Sequence, residues 1–250
     1  VWLKEALMSF TRSDGRLPDQ LRSIEIIPGY LTTVPGSALL CMGDTKVLCT
    51  ASVEDSVPGF LVGSGQGWLT AEYGMLPGSS PKRIPRESST GKVNSRGREI
   101  QRLIGRSLRA AVDLNLLGER TIHIDCDVIQ ADGGTRTASV TGAYVALAET
   151  INSIISEHRL DKSPLVRAIA AVSVGLIEDR PLLDLCYRED SQADTDMNVV
   201  MTGAGQYVEI QGTGEEATFD ASQLDRLLKL ARRGIQQLEE IQRKALGRAW

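Results

Sequence analysis

The stretch best suited to chemistry is a glycine turn near the middle of the chain. An alternating apolar run at 122–130 breaks at Gly133-Gly134-Thr135-Arg136, and a helical pattern follows. Glycines let the backbone approach a ligand closely, and the free N–H groups that begin a helix bind anions. Arg136 would add a charged, forked donor. The pattern predicts a strand, a tight turn and a helix start, and indicates either an anion site or an ordinary helix cap.

A second group of reactive side chains lies in the segment 188–198. Four carboxylates, Glu189, Asp190, Asp194 and Asp196, fall within eight residues there, between two apolar runs. Asp196 and Asn198 have strand spacing and therefore share one face, where an ionised side chain is costly without a partner. Clustered oxygen ligands suit Mg²⁺, which also binds substrate phosphates. The segment indicates a metal or acid role, with a polar loop as the alternative.

The charge distribution indicates an anionic partner. The formal net charge is −4, yet 82–109 has nine basic residues and two acids, so that segment contributes +7 and the remainder −11. Such asymmetry suggests a polyanion site on an acidic body. The stretch 78–95 has no apolar period and predicts a long mobile loop. The next helix carries an arginine stripe that fits a solvated face, RNA or a partner subunit, formed by Arg98, Arg102, Arg106 and Arg109.

Other function classes find little support in the sequence. The chain has neither GxGxxG nor GK[ST], so the nucleotide-binding loops of those kinds are not expected. Its four cysteines form no CxxC pair and indicate reduced core residues rather than a zinc site. We interpret His123 and His158 as structural. No apolar run approaches the roughly 20 residues that span a bilayer, which predicts a cytoplasmic protein without a membrane partner.

The elements that must position these groups are strands and helices in an α+β order. We expect mixed and antiparallel sheets packed with helices in a single compact domain at 12–250, preceded by a flexible extension at 1–11. Apolar periodicity predicts strands at 21–27, 37–41, 45–53, 68–73, 122–130, 168–177, 181–187, 197–202 and 206–211, and helices at 98–112, 137–156 and 224–246.

Several long stretches are specific enough to indicate a family. They include Arg12-Ser13-Asp14-Gly15-Arg16, GQGWLTAEYGMLP at 65–77, DCDVIQADGGTRTAS at 125–139 and TDMNVV at 195–200. In these stretches the chain resembles the bacterial ribonuclease PH family. The resemblance implies a ribonuclease PH-like fold and a phosphate-dependent 3′-to-5′ exoribonuclease, a nucleotidyltransferase that trims tRNA precursors and releases nucleoside diphosphates. It also implies a homo-oligomer, a hexameric ring built as a trimer of dimers, that binds RNA and not DNA.

The resemblance further implies roles for individual residues, with inorganic phosphate as co-substrate and Mg²⁺ as cofactor. A divalent-ion role and a general-acid role both stay open for the aspartates. The implied residues are Arg96, Gly134, Thr135 and Arg136 for phosphate, Asp190 and Asp196 for catalysis and metal binding, and Lys82, Arg83 and Arg86 for RNA.

The chain departs from the family pattern in two places. The Gly-Arg-Thr motif reads Ser95-Arg96-Gly97, and Gly78 stands after Pro77 where the family usually has an arginine. Two alternatives to an active nuclease find less support. One is a catalytically silent ring subunit that binds RNA, as in exosome-like complexes, and the presence of all four of Arg96, Arg136, Asp190 and Asp196 argues against it. The other is a fragment of polynucleotide phosphorylase, which would need a second copy of the core and C-terminal RNA-binding domains.

Overall fold

Two β-sheets form the frame of the protein in a computed structural model that describes residues 12–86, 94–215 and 217–247. The first sheet contains β1 (Ile24–Pro28), β2 (Gly36–Met42), β3 (Thr45–Glu54), β4 (Trp68–Met75) and β5 (Thr121–Gln130), in the order β1-β2-β3-β5-β4. The second contains β6 (Ile169–Ile177), β7 (Arg180–Leu183), β8 (Thr195–Thr202) and β9 (Tyr207–Gly214), in the order β7-β6-β8-β9. The helices are α1 (Ser95–Arg109), α2 (Leu114–Leu117), α3 (Thr135–Ser156), α4 (Tyr187–Asp190) and α5 (Ala221–Leu246).

The apolar patterns of the strands account for their places in the sheets. β3 alternates buried and half-buried positions along most of its length, as a strand with one face on the core does. β6 is apolar and buried on both faces, because α3 and α5 both pack against it. The first sheet is mixed, since β4 and β5 pair in parallel while its other pairs are antiparallel.

Helix α3 lies between the two sheets and contacts β2, β3 and β6. α1 packs on β4 and α3, and α5 packs on β6, β7 and β1. A single cluster of buried apolar side chains runs through both sheets, from Leu21 beside β1 to Leu238 in α5. The first turn of α3 lies close to the residues that follow β5 of one sheet and to residues of β6 and β8 in the other.

The structure confirms the α+β prediction and corrects some of its details. The strand predicted at 181–187 ends at Leu183, because Asp184 has a φ of 54° and its carbonyl accepts hydrogen bonds from Arg12 and Arg16. Tyr187 then begins the short helix α4. The helix predicted from residue 137 already begins at Thr135.

Two predicted segments lie partly or wholly outside the described residues. The extension at 1–11 is not described, and neither is 87–93 within the predicted loop at 78–95. The described part of that loop contains no helix or strand before α1 begins at Ser95.

Candidate active site

A cavity of about 490 Å³ lies at the first turn of α3 and is lined from both sheets. Most of the residues singled out in the sequence line it, namely Lys82, Arg96, Gly134, Thr135, Arg136, Asp190 and Asp196. Arg86 lines instead a neighbouring cavity of about 250 Å³, to which Arg96 also contributes. Arg83 lines neither cavity. The fold thus brings together the glycine turn, the acidic segment at 188–198 and part of the basic segment at 82–109.

The glycine turn has the geometry that its sequence predicts. Gly133 and Gly134 have φ values of 72° and 64°, in the left-handed region that favours glycine. A Cβ on Gly133 would lie 2.7 Å from the carbonyl oxygen of Leu185, so glycine lets the segment before α4 pass close to the turn. Gly134 is the N-cap of α3 and supplies no side-chain acceptor. An N-terminus capped in this way suits an anionic ligand.

A buried arginine cluster supports the turn from beneath. Arg22 donates from Nη1 to the carbonyl oxygen of Asp132 at 2.5 Å, and its Nη2 lies 2.7 Å from Oδ1 of Asp184. Thr45 donates from Oγ1 to the carbonyl oxygen of Gly133 at 2.7 Å. These bonds fix the backbone on which the predicted anion site depends. The buried arginine cluster comprises Arg12, Arg16, Arg22, Asp184 and Glu189.

Two side chains of α3 face the cavity with defined partners. Arg136 donates from Nη1 to Oε1 of Gln211 at 3.0 Å and to Oε1 of Glu99 at 3.3 Å. The hydroxyl of Thr135 lies 2.9 Å from that of Tyr73. Burial raises the pKa of Tyr73, more than Arg96 and Arg136 lower it, so the phenol stays protonated at neutral pH.

The acidic segment divides into two parts, so the four carboxylates do not form one cluster. Glu189 is buried against Arg12, whose Nε donates to its Oε1 at 2.7 Å. Asp194 accepts a hydrogen bond from the backbone N–H of Glu178 at 2.9 Å. Of the four, Asp190 and Asp196 line the cavity. Within the acidic segment, these two carboxylates are therefore the ones that face the cavity.

The pKa values of both cavity carboxylates are raised above the ordinary value, and burial is the largest cause for each. Burial raises the pKa of Asp190, against the opposing effect of Arg96 and Arg136. Burial also raises the pKa of Asp196, and the negative charges of Asp190 and Glu215 add to the effect. Two carboxylates that repel each other beside two guanidinium groups form a site suited to an anion and to either a cation or a proton.

The sequence reasoning missed several residues that shape this site. Arg22 interrupts the predicted strand at 21–27 with a charge, which is a signal of a buried partner. Tyr73 lies in the strand β4 just before the basic segment. Glu215 follows β9 directly and has no local pattern that would have revealed it.

Comparison with protein families agrees with this geometry. Residues 20–151 match domain 1 of the 3′ exoribonuclease family, and residues 168–234 match its domain 2. The chain therefore belongs to the 3′ exoribonuclease family.

Similar proteins indicate which activity within that family this chain has. Ribonuclease PH from Corynebacterium efficiens is 58% identical over 239 residues, covering 96% of this chain and 98% of that protein. Ribonuclease PH from Bacillus cereus is 57% identical over 237 residues, covering 94% of this chain and 97% of that protein. The activity is that of a phosphorolytic 3′ exoribonuclease, which uses inorganic phosphate as co-substrate and processes tRNA 3′ ends.

Solved structures show the same fold at lower identity. The Archaeoglobus fulgidus exosome with RNA bound to the active site matches with a TM-score of 0.78 and 24% identity, covering 96% of this chain and 95% of that one. Rice (Oryza sativa) Rrp46 matches with a TM-score of 0.76 and 18% identity, covering 94% of this chain and 100% of that one. They confirm the predicted ribonuclease PH-like fold. Among the described residues, no helix has the length and apolar character to cross a bilayer.

Proposed function

We propose that the cavity at the first turn of α3 is the phosphorolytic centre of this enzyme. The observation that supports it is the meeting of Arg96, Arg136, Asp190 and Asp196 around one cavity beside a helix N-terminus. Arg96, Arg136 and the backbone from Gly134 bind the attacking inorganic phosphate. Their positive charge also offsets the negative charge that develops on the transferred phosphoryl group.

Phosphorolysis at this cavity involves attack by phosphate, departure of the 3′ oxygen and protonation of that oxygen. An oxygen of inorganic phosphate attacks the phosphorus of the last phosphodiester, and the bond from that phosphorus to the 3′ oxygen of the preceding nucleotide breaks. A nucleoside diphosphate leaves, and the 3′ oxygen takes up a proton. Guanidinium groups orient the nucleophile, and the carboxylates act on the opposite side of the reacting phosphorus.

We further propose that Asp190 and Asp196 bind Mg²⁺. Among the described residues, no three His, Cys, Asp or Glu side chains are grouped as metal ligands. Two carboxylates still fit Mg²⁺, which takes one or two from a protein and fills its other positions with water and substrate phosphate oxygens. Bound there, the ion would neutralise charge on the reacting phosphate.

The pH dependence of turnover separates the two roles left open for the aspartates. Metal binding requires both carboxylates ionised, so kcat should fall as pH is lowered through their pKa values, which lie above the ordinary 3.8. A general acid must be protonated, so kcat would then fall as pH is raised through the same window. We expect the first profile, measured with Mg²⁺ in excess. The second profile would reject the metal role.

RNA reaches the cavity along the basic segment in this proposal. Lys82, which lines the cavity, would contact the 3′ end. Arg86 lines the neighbouring cavity and, with Arg83, would bind phosphates further from the end. We also propose that the chain works in the cytoplasm as a hexameric ring, a trimer of dimers. The molecular mass in solution tests the ring, because a monomer would contradict it.

A 3′-extended tRNA incubated with the protein and Mg²⁺, with and without phosphate, tests the proposal. Phosphate-dependent release of nucleoside diphosphates is expected. Release of nucleoside monophosphates, or activity that needs no phosphate, would contradict it. RNA binding without any product would instead favour the silent ring subunit.

A further inference from the structure

Tyr187 lines the cavity and has no role in phosphate binding or in the acid–base chemistry. It is the one aromatic side chain among the described residues that line this cavity. It is 66% exposed, although the residues just before it, Leu185 and Cys186, are buried. A large aromatic ring exposed at the edge of a charged cavity is a ready contact surface for a ligand.

The backbone of Tyr187 is held firmly while its ring is exposed. Its N–H donates to Oδ1 of Asp132, the residue just before the glycine turn, at 3.2 Å. The preceding N–H, that of Cys186, donates to Oε2 of Glu189 at 3.1 Å, and Glu189 is paired with Arg12. A ring on a fixed backbone loses little conformational entropy when it binds a ligand.

Tyr187 also lies close to Asp190, one of the two carboxylates proposed to take part in the reaction. Tyr187 and Asp190 are three residues apart in α4, so they share a face with their Cβ atoms roughly 5–6 Å apart. A nucleotide base is separated from its phosphate by the ribose. When the phosphodiester under attack lies beside the inorganic phosphate and Asp190, the base of the terminal nucleotide comes within reach of the Tyr187 ring, which lines the same cavity.

The chemistry of the enzyme favours an aromatic contact for the base. An exonuclease that removes successive nucleotides must accept every base at the 3′ end. Stacking on an aromatic face tolerates all bases, whereas hydrogen bonds to base edges select among them. We propose that Tyr187 is the stacking surface for the base of the 3′-terminal nucleotide, an inference that rests on the proposed function of the cavity.

Tyr187→Ala tests the stacking surface, because its effect on KM for RNA and its effect on KM for phosphate are measured separately. We expect KM for RNA to rise about 5- to 160-fold, the range of base–aromatic stacking, while KM for phosphate stays unchanged. Tyr187→Phe, which keeps the ring, should retain the RNA affinity. Tyr30→Ala is the matched control. Tyr30 is 48% exposed and follows Gly29, whose neighbour Glu149 lies about 21 Å along α3 from Thr135.

An RNA with an abasic 3′-terminal nucleotide shows whether the base is the partner. If Tyr187 stacks on that base, removing the base and removing the ring give non-additive losses, because either change alone abolishes the same contact. Additive losses, an unchanged KM for RNA in an active Tyr187→Ala, a rise in KM for phosphate, or a Tyr187→Phe as impaired as Tyr187→Ala would each overturn the proposal. An unchanged KM for phosphate in Arg96→Ala and in Arg136→Ala would overturn the proposed function of the cavity instead.

Discussion

Two groups of arginines and carboxylates lie on either side of the glycine turn and differ in how they are paired. In the buried arginine cluster each charge has a close partner, and little of any side chain is exposed. The second group, which we call the cavity cluster, consists of Arg96, Arg136, Asp190 and Asp196, and its members face a cavity. The same residue types therefore hold the backbone in one place and remain available to a ligand in the other.

Glu189 and Asp190 show how sharply the two groups are divided. They are adjacent in α4, yet Arg12 lowers the pKa of Glu189 against the effect of burial, whereas burial raises the pKa of Asp190. The buried carboxylate is stabilised as an anion by its partner, and the cavity carboxylate lacks a partner of that strength. An active site commonly holds charge at a cost to stability in this way, and that charge becomes useful when a substrate or ion arrives.

The largest effect we expect follows from breaking the buried arginine cluster. Glu189→Gln leaves the guanidinium of Arg12 buried without its counter-charge, so the free energy of unfolding at pH 7 should fall by about 3–5 kcal/mol. Because the folded state lowers the pKa of Glu189, its contribution is present above the ordinary 4.5 and is lost as pH falls below that value. The difference between variant and parent should therefore shrink in acid. Denaturant unfolding across pH measures it.

Asp190→Asn is the matched variant at the neighbouring position. The folded state raises the pKa of Asp190, so its ionised form is destabilising above that pKa, and the penalty is absent below the ordinary 3.8. The variant should be more stable than the parent at neutral pH by about 0.5–1 kcal/mol, and the gain should vanish in acid. A loss of stability as large as that of Glu189→Gln would show that the two carboxylates belong to one structural unit.

The sequence singled out the four residues that the fold brings to the cavity, whereas it did not indicate that the residues of the buried arginine cluster pair with one another. Strand β5, the glycine turn and the start of α3 follow one another in the chain, so local periodicity and φ preferences reveal them. Arg22 and Asp184 are 162 positions apart, and no local pattern links them. α4 is four residues long, which is too short for helical periodicity. Its Glu189 and Asp190 consequently looked alike until the fold showed which one faces Arg12.

Asp196→Asn tests the catalytic half of the cavity cluster. The amide keeps the shape of the side chain and removes its charge, so kcat should fall by about 10²-fold or more while RNA binding is largely retained. Quantifying nucleoside diphosphate release and RNA binding separately measures both. Glu215 also raises the pKa of Asp196, so a variant at Glu215 provides a comparison in which the Asp196 carboxylate is kept. Turnover at the parent rate would remove Asp196 from the catalytic group.

Arg136→Ala and Arg96→Ala test the phosphate-binding half. Each removes a charged donor, so kcat/KM for phosphate should fall by about 10- to 100-fold while KM for RNA changes less. Arg226→Ala is the control, since Arg226 pairs with Asp179 on the surface at 2.5 Å and does not line the cavity. Equal losses for phosphate and RNA would mean that these arginines hold the RNA instead of the nucleophile.

The smallest effect should come from an ion pair outside both groups. Arg106 of α1 donates to both carboxylate oxygens of Glu209 in β9, at 2.9 and 2.6 Å, but the Arg106 side chain is 47% exposed. Water competes for such a pair, so Arg106→Ala should lower the free energy of unfolding by less than about 1 kcal/mol. Arg12 and Glu189 form a similar two-pronged pair, which differs in being buried and in the further bonds of Arg12 to the carbonyl oxygens of Leu183 and Asp184.

The same variant also tests how far the cavity cluster extends. Glu209 accepts a hydrogen bond from Gln211, and Gln211 accepts one from Arg136, so a chain of polar contacts joins Arg106 to the proposed phosphate site. Arg136 keeps its bond to Gln211 when Arg106 is lost, and we therefore expect KM for phosphate to be unchanged in Arg106→Ala. A raised KM for phosphate would place the exposed pair within the machinery that orients Arg136, and the boundary of the cavity cluster would move out to the surface of α1.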